Sequence, residues 1–317
     1  MQRAGQDGAR LRALYDRPYL LLVLTTLAWA GNAVASRLAV GEISPMMLTT
    51  GRWGLVLLLL AAFARQAVRE GAPRLKAQWR AVTAMGVCGF TVFNALFYVA
   101  GHMTSAVNLS ILQGSIPIFV MLGALVLHRS PVRAGQAFGA LVTLAGVATV
   151  ASHGDLRGLA ELRFNPGDLM MLTACALYAG YTLALRGRDG VSTIWFFAGL
   201  AAAAFVSSLP LLAGEVALGL AQPPTARGWA ILLYIALAPS FFSQLFYMRG
   251  VQLIGPARAG LFINLVPVFG AILAVLVLGE PFRTHHAAAL GLVLLGILAA
   301  ETAARRAPGR RLRSSTP

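Results

Sequence analysis

Apolar stretches of about 20 residues recur along the whole chain, and each matches the length needed to cross the hydrocarbon core of a bilayer. They fall at about 19–39, 45–63, 80–100, 104–127, 134–151, 168–186, 193–213, 229–248, 256–278 and 284–303. A backbone in hydrocarbon has no water to bond, so an unbroken apolar run of this length satisfies its own N–H and C=O groups as a helix. Charged residues make up 12% of the chain and hydrophobic ones 58%. A soluble domain carries about 25% charged residues, so most of this surface faces lipid. The expectation is an all-α polytopic membrane protein with ten transmembrane helices.

Charge placement sets the expected orientation. Twenty of the 26 Lys and Arg residues lie at the N-terminus, in the even-numbered connections and at the C-terminus, five lie on the other side, and Arg52 falls within a span. Basic residues concentrate on the cytoplasmic side, which puts both termini in the cytoplasm. The net charge of +15 is distributed at the ends of apolar runs. That pattern orients helices and argues against a nucleic-acid partner. Cys88 and Cys175 lie within spans and read as packing residues, with no disulfide framework, no metal-ligand spacing and no cofactor motif. A phosphate loop, a GxSxG, an HExxH and paired carboxylates within one span are all missing, so no enzyme is expected.

The stretch Ser105–Pro131 has a counterpart 150 residues on: Pro267 answers Pro117, Phe269 answers Phe119 and Pro281 answers Pro131. Trp79 and Trp229, Gly146 and Gly296, and Asn94 and Gln244 stand at the same offset. The chain therefore divides into a cytoplasmic segment 1–18, a first five-helix repeat 19–151, an extracytoplasmic linker 152–167, a second repeat 168–303 and a basic tail 304–317. An odd number of spans per half turns the second half upside down. Inverted repeats of this kind surround a central cavity near mid-membrane in secondary transporters.

Candidate binding residues are neutral polar and aromatic side chains at helical spacing. Trp29 and Asn32 share a face of the first span; Phe90, Asn94 and Tyr98 share one on the third; Ser240, Gln244 and Tyr247 share one on the eighth. Tyr178 and Tyr181 on the sixth, Asn108 and Ser115 on the fourth and Asn264 on the ninth complete the set. Each is either glue between helices or part of a shared cavity wall, and the set as a whole favours the cavity. Arg52 either meets a substrate carboxylate or snorkels outward, toward Glu42. Pro117 and Pro267 read as mid-helix prolines, static kinks or hinges. Gly135 and Gly139 mark a close helix contact, inside one protomer or in a weak homodimer.

Trp29-Ala30-Gly31-Asn32, Ser44-Pro45 followed by Arg52, the segments SIPIF (115–119) and LVPVF (265–269), and Leu278-Gly279-Glu280-Pro281 together resemble the EamA-like branch of the drug/metabolite transporter superfamily. His128-Arg129-Ser130-Pro131 departs from that pattern where the second half has Gly279-Glu280. The resemblance implies two inverted five-helix halves around a central cavity, gating by the hairpins of helices 3–4 and 8–9, and export by alternating access. The uncharged, aromatic wall looks most like the bacterial exporters of aromatic and other amino acids. The alternatives are another neutral metabolite or drug-like compound such as a nucleoside or purine, or a channel-like protein. Expected partners are the small-molecule substrate and membrane lipid.

Overall fold

A computed structural model describes residues 15–129, 132–152, 154, 165–185, 194–254, 259 and 262–305. The expected N-terminal segment, most of the 152–167 connector and nearly all of the tail lie outside these residues. The described residues are helical throughout, without a strand. In order they form α1 (Pro18–Leu38), α2 (Pro45–Phe63), α3 (Arg65–Ala77), α4 (Trp79–Ala100), α5 (Ala106–Gln113), α6 (Ile116–His128) and α7 (Ala134–Ala151). Then follow α8 (Pro166–Ala184), α9 (Ile194–Ala217), α10 (Ala226–Ile254), α11 (Val266–Leu278) and α12 (Thr284–Arg305). Six stretches, namely α1, α2, α4, Ala106–Leu127, α9 and α10, are long and apolar enough to cross a membrane, and shorter apolar helices accompany them.

The helix starts follow from local chemistry. Pro18, Pro45 and Pro166 stand in the first turns of α1, α2 and α8, where a missing N–H costs nothing. Ser105, Asn165 and Thr225 cap α5, α8 and α10, each accepting a bond from a backbone N–H of the first turn.

Pro117 and Pro267 behave differently from the expectation of interior prolines. The span 104–127 breaks at Gly114 and Ser115, and Pro117 enters the first turn of a new helix, α6. Pro267 likewise enters the first turn of α11, directly after a 3-10 turn at Ile263–Leu265. A helix can begin with proline without losing a bond, so the chain restarts at these points rather than bending through them. The two helices match closely. Each has 13 residues, and each ends on a left-handed residue, Arg129 (φ 49°) and Gly279 (φ 65°). A second device also recurs. α4 carries a π-helical turn at Val87–Val92 and α10 carries one at Ala236–Phe242. Pro239, which has no N–H, sits in the second of them, and Ser240 and Ser243 bond carbonyls five residues back. Trp79 and Trp229, at the starts of α4 and α10, are both exposed, as expected of aromatic side chains at a membrane boundary.

One feature was not read from the sequence. The connection after α2 forms α3, a short amphipathic helix. The Gly135/Gly139 face is used within the chain: α7 packs along α12, and a Cβ on Gly139 would meet the Gly296 carbonyl and stand 2.5 Å from Ala300 N. On the facing helix, a Cβ on Gly296 would come within 2.6 Å of Thr143 N. Backbone cannot step aside as a side chain tip can. Gly139→Leu is therefore expected to destabilise the detergent-solubilised protein by about 2 kcal/mol, read as a lower thermal midpoint. Gly214→Ala, with nothing within 4 Å of the added Cβ, should leave it unchanged.

Candidate substrate cavity

The two π turns and the two helix restarts converge on one cavity of about 100 Å³. Space on this scale holds on the order of half a dozen waters or one small solute. Gly89, Phe90, Phe93 and Asn94 reach it from α4, and Pro239, Ser240 and Gln244 from α10. Gln113, Gly114 and Pro117 line it at the first restart, Asn264 and Pro267 at the second. α1 supplies Trp29 and Asn32, α2 supplies Arg52 and Trp53, and Tyr178 and Phe197 close the wall. A π turn widens the helix by one residue, and such turns concentrate at functional sites.

Arg52 does not snorkel. It is 6% exposed, and its Nη1 donates to Asn94 Oδ1 and to Tyr98 Oη, both at 2.6 Å. Tyr98 in turn donates to Asn32 Oδ1 at 3.1 Å, and Asn94 Nδ2 donates to the Phe90 carbonyl within its own helix. The guanidinium lies 4.9 Å from the centre of the Trp53 ring, and Trp53 stacks on Phe90 at 4.6 Å. Nε is buried with no partner. Among the described residues no carboxylate lies within ion-pair distance of it. A cation so removed from water without a counter-charge is costly, and in membrane proteins such a residue marks a ligand pathway.

Of the residues proposed from the sequence, Trp29, Asn32, Phe90, Asn94, Tyr178, Ser240, Gln244, Asn264, Pro117, Pro267 and Arg52 line the cavity. Three aromatics stand one layer behind. Tyr98 orients Arg52, Tyr181 packs on Phe90 at 5.4 Å, and Tyr247 packs on Trp29 at 5.4 Å. Two residues lie elsewhere. Ser115 bonds back to the Leu112 carbonyl at 2.7 Å, and Asn108 bonds Thr104 and Asp168 toward one end of the bundle. Trp53, Gly89, Phe93, Phe197 and Pro239 were missed. Gly89 and Pro239 stand 150 residues apart, so the repeat itself carried a signal for them. Trp53 and Phe197 had none beyond hydrophobicity.

That end of the bundle is closed by contacts between the first half (α1–α7) and the second (α8–α12). Glu215 accepts from Ser44 Oγ at 2.6 Å and from the Met46 and Met47 N–H groups at the start of α2. Glu280 accepts from the Ala106 and Val107 N–H groups at 3.0 Å, with Arg37 Nε 3.8 Å away. Asp168 holds Thr104 at 2.6 Å. Glu42 accepts from Thr225 Oγ1 and pairs with Arg227 at 3.7 Å. Carboxylates at helix N-termini meet both free N–H groups and the positive end of the helix dipole. Beside them, burial and the charge of Arg37 hold His102 below the ordinary imidazole range.

Membrane-length apolar helices around an aromatic-walled cavity mark a multi-pass membrane protein, and the class they fit is that of the transporters. The EamA-like transporter family model matches residues 16–152 and again 165–301, and the chain belongs to that family. It is 26% identical over 296 residues to the uncharacterised transporter YyaM of Bacillus subtilis, covering 89% of this chain and 92% of that one. An uncharacterised transporter of Archaeoglobus fulgidus is 27% identical over 272 residues, with 84% and 90% covered. A probable terminal-alkyne amino-acid exporter of Streptantibioticus cattleyicolor is 27% identical over 300 residues, with 93% and 96% covered. A protein of known crystal structure, 19% identical, superimposes with a TM-score of 0.63 over 91% of this chain and 98% of its own, which supports the fold alone.

Tyr98→Phe removes the hydroxyl that joins Arg52 to Asn32 and leaves a buried cation with one fewer acceptor. It is expected to cost about 1–3 kcal/mol, measured as a fall in thermal midpoint larger than that of Tyr234→Phe, a half-exposed tyrosine of α10 with no hydroxyl bond among the described residues.

Proposed function

We propose that this transporter exports amino acids, aromatic ones favoured, across the bacterial inner membrane, with both termini cytoplasmic. In this reading ten spans form two inverted five-helix repeats, and the cavity opens alternately to either side. The substrate carboxylate meets Arg52, whose Nε and Nη2 have no acceptor among the described residues. The side chain lies among Trp29, Phe90 and Tyr178, where aromatic faces stack. Asn32, Gln244 and Asn264 offer carbonyl oxygens to the substrate ammonium. The observation that carries this reading is the uncompensated guanidinium in an aromatic-walled cavity. The similarity to a probable amino-acid exporter supports the same class. A neutral solute such as a nucleoside would fill the aromatic space but bring no anion to Arg52.

The test is counterflow of labelled Phe, Trp, Leu, Thr and a nucleoside in proteoliposomes. Phe and Trp should exchange and phenethylamine, the decarboxylated analogue of Phe, should not. Arg52→Met should lower Phe exchange about 10- to 100-fold, the scale of one lost charge-assisted contact. Nucleoside exchange without amino-acid exchange would overturn the substrate class. For alternating access, Glu215→Gln with Glu280→Gln should speed reaction of Ser240→Cys with a membrane-impermeant thiol reagent added from outside. Equal rates would argue against a gate at these carboxylates.

A further inference from the structure

α3 lies across the other end of the bundle, where α1 and α9 begin and α10 finishes. Its inward residues Val68 and Leu75 join the apolar cluster that holds Trp195, and a Cβ on Gly71 would stand 2.7 Å from Trp195 Cδ1. Its other face exposes Arg65, Arg69, Arg74 and Lys76. The one acid on the helix, Glu70, accepts from Gln66 at 3.0 Å. Exposed Phe63 and Trp79 flank the helix, at 78% and 58%. A basic amphipathic helix between two exposed aromatic side chains belongs at the polar boundary of a bilayer.

Beside α3 runs a crevice of about 540 Å³. Trp195, Leu245 and Met248 contribute its apolar surface, while Arg74 and Arg249 bring two guanidinium groups to it. Arg249 is fixed: Nη2 meets Asp16 Oδ1 at 2.5 Å, the group lies 5.4 Å from the Tyr15 ring centre, and Nε is buried without a partner. The Arg74 side chain makes no hydrogen bond among the described residues. Glu70 also lines the crevice and Asp16 pairs with Arg249, so the excess positive charge near it is that of Arg65, Arg69 and Lys76 on the exposed face of α3.

We infer that this crevice binds the phosphodiester headgroup of an anionic phospholipid, its phosphate oxygens between Arg74 and Arg249 and its glycerol and first methylenes against Trp195 and Met248. Arginine forks match phosphate oxygens well, and an inorganic anion would leave the apolar surface wet. A zwitterionic headgroup brings no net charge to the basic face of α3. The site is independent of the cavity and of the substrate proposed for it.

Native mass spectrometry of the full chain, released from micelles with phosphatidylglycerol or phosphatidylcholine of the same acyl chains, tests this. One phosphatidylglycerol should be retained about tenfold more than phosphatidylcholine, and Arg74→Gln and Arg249→Gln should each remove about tenfold of that preference. Arg80→Gln, which changes an exposed basic residue outside the crevice, should keep it. The Arg74 side chain makes no hydrogen bond among the described residues, so its variant reads binding rather than folding. Equal retention of the two lipids, an equal loss in Arg80→Gln, or displacement of the lipid by millimolar inorganic phosphate would each overturn the assignment.

Discussion

The guanidinium of Arg52, surrounded by uncharged groups, sets the terms for the elements around it. Its attraction for neutral acceptors has to offset several kcal/mol of lost hydration. One nitrogen therefore takes two acceptors at 2.6 Å, and an indole face covers the plane. Each acceptor is itself held. Asn94 is tied back into α4 beside its π turn, and Tyr98 is aimed by its bond to Asn32 of α1. Three helices are thus locked in register by one charge, and the residue that carries it also lines the cavity.

The cavity exists because regular helix stops where it passes. A regular helix offers a solute only side chains. A restart or a π turn also brings backbone close, with Gly89, Gly114 and Pro239 at the wall. The same two devices appear in both halves at matching positions. They are not equally comfortable. Gly279 adopts its left-handed conformation freely, while Arg129 carries a side chain there, a strain of roughly 1 kcal/mol. Departure from Leu-Gly-Glu-Pro in the first half thus removes both the permissive glycine and the carboxylate that caps a neighbouring helix.

Much of this was legible in the residues. Span positions came from hydrophobic length, and the repeat came from Pro117 and Pro267. Asn94 and Gln244 were found because amides are expensive in hydrocarbon. What escaped had specific causes. Pro117 and Pro267 looked like interior kinks, since hydropathy continues unchanged across a helix break. Tyr98 follows Asn94 at helical spacing, yet one more turn takes it past the cavity and behind Arg52. α3 reads as a charged connection because its apolar stripe is only four residues wide: Ala67, Val68, Gly71 and Leu75. Asn108 and Ser115 have the right chemistry, but local bonds consume it.

Glu42, Asp168, Glu215 and Glu280 fasten one half to the other at a single end of the bundle, mostly through helix starts and hydroxyls. Ion pairs are fewer there, and this choice of partner matters. Carboxylates and exposed peptide N–H groups are both well hydrated once apart, so separating them trades one set of bonds for another of similar strength. Water is then the competing ligand at this end of the bundle. The seam can be tight when dry and inexpensive to part once water enters.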